Sequence, residues 1–140
     1  MATTTASITL TSDLLSDNMS VTTNTTCMKA GTEADGLDQM DMGYIELAIG
    51  AQKNLFDADN DLIKDKANKV YICNESTDET YYITIMIDAQ AIGRLYGGDW
   101  MFIPWVAEDA TADFEIESLI GTNKITYIIF HEGRTLPAVD

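Results

Sequence analysis

Cysteine, histidine and proline are nearly missing from this chain. Its two cysteines, Cys27 and Cys73, allow at most one disulfide. The absence of a CxxC pair, with His131 as the only histidine, argues against a structural zinc site. Lysine and arginine are scarce too: 8 against 23 Asp and Glu, a net charge of −15. That balance argues against direct nucleic-acid binding, whose affinity comes largely from cation–phosphate contacts, and against an anionic membrane surface. No apolar run approaches the roughly 20 residues of a membrane-spanning helix. The opening Met1–Ala6 lacks the positive region and apolar stretch of a signal peptide, so the chain is expected to stay in a cytoplasm or to leave it inside an assembly. Aromatic residues are absent before Tyr44. Amphipathic helix is also lacking, with only short candidates at 59–67 and 105–111, and this excludes βαβ units.

What is present is β-pattern. Ile8 and Leu10 alternate with Ser7, Thr9 and Thr11, and Met19 and Val21 with Ser20 and Thr22. β-branched residues at this density favour extended chain. Residues 1–42 are therefore expected to form an N-terminal arm and loop, ordered against a neighbour. Ile45, Leu47 and Ile49 share one face of a half-buried strand. Residues 69–73 and 80–87 are expected to pair as a hairpin across a polar loop. Phe114 and Ile116 alternate with carboxylates, and 125–132 is the last strand. The expected fold is all-β, an antiparallel β-sandwich or jelly-roll-like barrel over residues 43–133, followed by a tail at 134–140.

The segment Gly97–Trp105 holds both tryptophans and is apolar on both faces. Such a strand is either buried between layers or pressed against a partner. It is expected to be a central strand near 81–87 and 125–131, with Trp100, Phe102, Trp105, Tyr127 and Phe130 anchoring the fold. The expected interface falls instead on the arm and following loop, at Ile8, Leu10, Met19, Val21, Met28, Leu37 and Met40.

Motifs for chemistry are thin. Asp57, Asp59 and Asp61 open like a calcium loop, but Leu62 stands where the EF-hand needs glycine and Asn68 where it needs glutamate. They are a weak calcium candidate beside a solvated acidic turn. His131 has no nucleophile motif to serve and is expected as a strand-end polar residue. Glu115 and Glu117 lie two apart and share a face, whereas a glycosidase pair faces across a cleft. Gly93, Gly97 and Gly98 lack the lysine of a phosphate loop. No catalytic residue, metal or cofactor is expected.

The series Val70–Ser76, Tyr81–Ile85, Gly93–Trp105, Thr111–Ile116 and Ile125–Gly133 resembles small structural proteins of tailed bacteriophages, especially those of marine and cyanobacterial phages. The best-matching parts are Gly97–Trp105 and the closing Phe130-His131-Glu132-Gly133, and the likeness covers about residues 67–133. It implies a non-enzymatic virion protein, most naturally a capsid decoration (cement) protein. The implied partners are the major capsid protein and further copies of the chain, as a trimer. The implied location is the capsid surface, after assembly in the host cytoplasm. A tail or head–tail adaptor protein is the alternative within that group, and a carbohydrate-binding module the alternative outside it.

Overall fold

A computed structural model describes residues 5–13, 19–26, 37, 39–60 and 63–132. Ten strands follow one another: β1 (Thr5–Ser12), β2 (Met19–Thr26), β3 (Gln39–Leu47), β4 (Gln52–Phe56), β5 (Ala67–Asn74), β6 (Tyr82–Ile87), β7 (Gln90–Tyr96), β8 (Trp100–Val106), β9 (Phe114–Ile120) and β10 (Asn123–His131). β1 and β2 pair with each other alone. The others form two four-stranded sheets, ordered β3-β10-β5-β8 and β4-β9-β6-β7, with every pairing antiparallel. From β3 on, the chain changes sheet at every connection except β6–β7. That is the order of a jelly roll, two interleaved Greek keys closed into a sandwich.

Alternation explains what fills the space between the sheets. Strand β5 buries Asn68, Val70, Ile72 and Asn74 while Lys69, Tyr71 and Cys73 turn outward. Ile125 and Ile129 of β10 lie beside them, and Ile83, Ile85, Phe114 and Ile116 come from the facing sheet. Complete burial of one such side chain stabilises by about 1.5–3 kcal/mol. Trp105 is 4% exposed and meets Phe56 and Phe114 with ring centroids 5.9 Å apart in each case. Its indole Nε1 donates to the Ala112 carbonyl at 3.1 Å, so the polar atom of the ring is not orphaned.

One end of the sandwich is locked by buried amides. Asn74 Nδ2 donates to the Leu95 carbonyl and to Asn123 Oδ1, both at 3.0 Å. Asn123 Nδ2 donates to Ser118 Oγ at 2.8 Å and to the Tyr82 and Ile120 carbonyls. Unpaired, these groups would each cost about 1–3 kcal/mol; paired, they fix where β5, β9 and β10 turn. Gly97 sits against this end, where an added Cβ would collide with the Asp78 and Ser76 carbonyl oxygens.

Several expectations are corrected. Strand β8 is not central: it pairs with β5 alone, at the edge of its sheet. Pro104 suits that place, because an edge strand can spare the ladder donor that proline lacks. Residues 69–73 and 80–87 do not form a hairpin; β5 and β6 belong to opposite sheets. The tight hairpin is β6–β7, where Asp88 and Ala89 both take positive φ, 54° and 57°, as a primed turn requires. Residues 52–56 and 90–96, for which the sequence pattern predicts no strand, are strands. The sandwich begins at Gln39, four residues before the expected boundary, and the described parts of 59–67 and 105–111 hold no helix. The 134–140 tail lies outside the described residues.

Candidate assembly face

The outer face of the β3-β10-β5-β8 sheet is built by the residues that alternate with the core. Register places Met42, Ile128, Tyr71 and Phe102 in one row across it. Tyr44, Thr126, Cys73 and Trp100 form the next row, and Met40, Phe130, Lys69 and Pro104 a third. Outward positions of soluble antiparallel sheets are usually polar; these are mostly apolar. Met40, Met42, Tyr44, Trp100 and Val106 remain exposed, with Met42 at 65% and Trp100 at 50%.

Part of this face is covered by the chain itself. Leu37, 4% exposed, packs with Phe130, Phe102 and Ile128 into a second small cluster. Phe102 and Phe130 meet edge to face at 6.2 Å, and Lys69 lies 6.0 Å from the Phe102 ring centroid. Ala6, Ser7 and Ile8 of β1 flank a cleft of about 290 Å³ whose other wall is Tyr71, Trp100 and Phe102. Tyr71 and Trp100 sit 6.5 Å apart with their rings tilted by 30°. Burial pushes the Tyr71 hydroxyl above its usual pKa, and its neighbour Cys73 adds to the rise.

Charge is nearly absent here. Among the outward positions of these four strands only Glu46, Lys69 and Lys124 are charged. Strands β1 and β2 contain no charged residue at all. One carboxylate therefore lies on a surface belonging to a chain with 23. The opposite sheet turns Glu115, Glu117 and Arg94 outward, with Thr84 between Glu117 and Arg94 and with Glu115 opposite Met86. Gln52 donates to Glu115, and Arg94 lies over the Tyr82 ring at 4.4 Å.

The expected site residues are distributed unevenly over this frame. Leu10 and Val21 are cross-strand partners in the hairpin and are exposed, while Ile8 is half-buried. Met19 lies in β2, Met40 is 55% exposed, and Leu37 is buried. Met28 lies outside the described residues. Of the fold-anchor candidates, Trp105 and Phe130 are buried, Tyr127 and Phe102 partly so, and Trp100 stands on the outer face. Tyr127 crosses Gly43, whose missing side chain leaves room for the ring. Met42 and Tyr44, which sequence reasoning passed over, are among the most exposed apolar side chains of the face.

Other chemistry-bearing groups are occupied locally. Asp57 Oδ1 accepts from the Asp59 N–H, and Asp59 pairs with Lys64 at 3.7 Å; Asp61 lies outside the described residues. Among the described residues no three His, Cys, Asp or Glu side chains gather as a metal site. His131 is buried between two acceptors, the Glu132 carbonyl at 3.1 Å from Nδ1 and Asp41 Oδ2 at 3.0 Å from Nε2. A cleft of about 500 Å³ opens between β3 and β4, lined by Asp41, Asn54 and Asp57 over Phe56 and Tyr127.

No protein-family model matches the chain, and no curated protein matches it. Solved structures that match include two with low similarity scores. A cupin protein from Bacteroides fragilis is 19% identical, with 72% of each chain covered and a TM-score of 0.36. The dTDP-4-dehydrorhamnose 3,5-epimerase of Bacillus anthracis, solved with TDP and PPi bound, is 14% identical at a TM-score of 0.32. That match covers 69% of this chain and 54% of the epimerase. At these values neither likeness says anything about activity.

Proposed function

We propose that this chain is a non-enzymatic structural protein of a virion, a decoration protein that binds the major capsid protein and stabilises the shell. The observation that supports this reading most is the outer face of the β3-β10-β5-β8 sheet, broad, aromatic and almost free of carboxylates on a strongly acidic protein. Contiguous exposed apolar surface of this kind marks association. The uncharged hairpin beside it adds main-chain edges that can extend a neighbour's sheet. The acidic remainder keeps the protein soluble before assembly and suits the outside of a particle, away from packaged DNA. A tail or adaptor role would use the same surface at a different copy number. Quantifying the chain against the major capsid protein in purified particles separates the two. Decoration requires hundreds of copies; about a dozen would overturn it in favour of an adaptor.

The half-exposed Trp100 beside Tyr71 supports a second reading, a carbohydrate-binding module in which sugar rings stack on the aromatic pair. A glycan array decides it: binding lost in Trp100→Ala favours the module, and silence across the array removes it.

A further inference from the structure

We propose that the β1–β2 hairpin is a displaceable strap: in the free chain it lies over the Tyr71, Trp100 and Phe102 part of the outer face, and the capsid partner reaches that part by displacing it. This rests on the reading of the face as an assembly surface and adds how access to it is controlled.

Two observations on the hairpin pull against each other. It lies against the sheet: Ala6, Ser7 and Ile8 form one wall of a cleft opposite Tyr71, Trp100 and Phe102, and Ala6 and Ile8 are half-buried between exposed neighbours. It nevertheless belongs to neither sheet, because β1 and β2 pair with each other alone. A two-stranded hairpin by itself in water is marginal at best, so it needs a surface to lie on. Moving it off this surface breaks no ladder of the sandwich. With no charged residue in either strand, the move also strands no buried charge.

The seat is also shallow. Protein interiors leave few voids larger than a water molecule, whereas a cleft of about 290 Å³ stays open between hairpin and sheet. Leu10 and Val21, cross-strand partners further along, remain exposed, and Trp100 keeps half its surface in solvent. Leu37 is the contrast on the same face: it is buried, and it packs closely with Phe130, Phe102 and Ile128. One cover is packed and the other is only laid on. The closed form is the one observed, and weak seating keeps an open form within reach. A partner that binds only the open form pulls the equilibrium that way, and its apparent affinity falls by the fraction that is closed. The hairpin thus screens aromatic surface before assembly, when exposed patches invite wrong contacts, and gives it up at assembly.

Two measurements on the full-length chain test this. Ile8→Glu places a carboxylate against the aromatic wall and should lift the hairpin. Acrylamide quenching of the free chain then reads Trp100, because Trp105 is buried. Quenching should rise, towards a ceiling of about twofold set by the half of Trp100 already exposed, with the circular dichroism spectrum unchanged. Ser7→Cys with Tyr71→Cys, in a Cys27→Ser and Cys73→Ser background, puts one thiol on each wall of the cleft, where a cleavable bis-maleimide pins the hairpin. The pinned chain should associate with capsid shells lacking this protein at least tenfold more slowly than the same variant after the linker is cleaved. Ile8→Glu should associate several-fold faster than the parent. Deleting the hairpin differs from lifting it, since deletion also removes the main-chain edges it offers a neighbour. Unchanged quenching in Ile8→Glu would overturn the strap, and pinned and cleaved chains that bind alike would overturn its displacement while leaving the decoration reading standing. Failure of every form to bind shells would instead remove that reading, and the displacement step with it.

Discussion

The two tryptophans of one strand offer the sharpest test of the fold. Trp105 and Trp100 are five residues apart in β8 and so lie on opposite faces of the sheet. Trp105 is 4% exposed, ringed by Phe56 and Phe114, and hydrogen-bonded to Ala112. Truncation to alanine removes about 200 Å² of burial, worth about 5 kcal/mol at 25 cal/mol per Å². Buried Trp→Ala changes cost about 3–5 kcal/mol in practice. Trp100 is half exposed. Its buried half gives at most about 2.5 kcal/mol, and an open face that can relax, with an unfolded chain that already hides some surface, lowers this to about 1–2 kcal/mol. At this chain length, about 2–4 °C is lost per kcal/mol, so Trp105→Ala should melt about 6–20 °C below the parent and Trp100→Ala about 2–8 °C below. The melts should be followed by far-UV circular dichroism, since each variant loses half the indole fluorescence, and at concentrations where the chain is monomeric. Equal losses, or a larger loss for Trp100→Ala, would refute the assignment of inner and outer faces, and with it the apolar surface on which the functional reading rests.

Three further outcomes follow from the geometry. Deleting residues 1–26 should leave the sandwich folded, because β1 and β2 join neither sheet, but should weaken attachment to particles in a co-sedimentation assay; unchanged saturation of capsids would count against a role for the arm. Asn123→Leu should cost about 2–4 kcal/mol in urea denaturation, because the Tyr82 and Ile120 carbonyls and Asn74 Nδ2 lose their partner together. Asp78 and Asp109 are held below the usual aspartate pKa of about 3.9, first by the hydroxyls of Thr80 and Thr111 and then by the same residues' backbone N–H groups. A depressed carboxylate pKa stabilises the fold above the unfolded value and loses that contribution as pH falls through the folded value. Loop signals near 78–80 and 109–111 should therefore stay constant by NMR down to about pH 4 and shift below it, and should lose that transition in Asp78→Asn and Asp109→Asn.

The all-β class was legible because alternation and turns are local. Strand β5 and residues 114–117 read correctly from their side chains alone. Strand order was not legible, because pairing in a jelly roll is remote: β3 meets β10, and β5 meets both β10 and β8. A polar hexapeptide between two apolar runs looks like a hairpin loop whether the chain turns back within one sheet or crosses to the other. Strands β4 and β7 were missed for another reason. β4, Gln-Lys-Asn-Leu-Phe, is largely exposed and has little apolar pattern, and β7 is interrupted by Gly93 and Arg94. His131 shows the same limit at the level of a side chain, since its partner Asp41 lies 90 residues away.

Gly97–Trp105 was hard to place because both of its faces are apolar, and alternation then cannot say which face is the core. Proline could have said more. Pro104 has no N–H to give, and a strand paired on both sides would leave an acceptor waiting there. With β8 at the edge, Met101, Ile103 and Trp105 fill the sandwich. Trp100, Phe102, Pro104 and Val106 then extend the outer face begun by Tyr71 and Ile128. The aromatic excess that sequence reading assigned to the anchor of the fold thus divides in two. Half of it holds the sheets together. The other half forms the outer face, where Leu37 packs on Phe102 and β1 flanks Tyr71 while Trp100 stays half exposed, and it is this division that the proposed assembly role rests on.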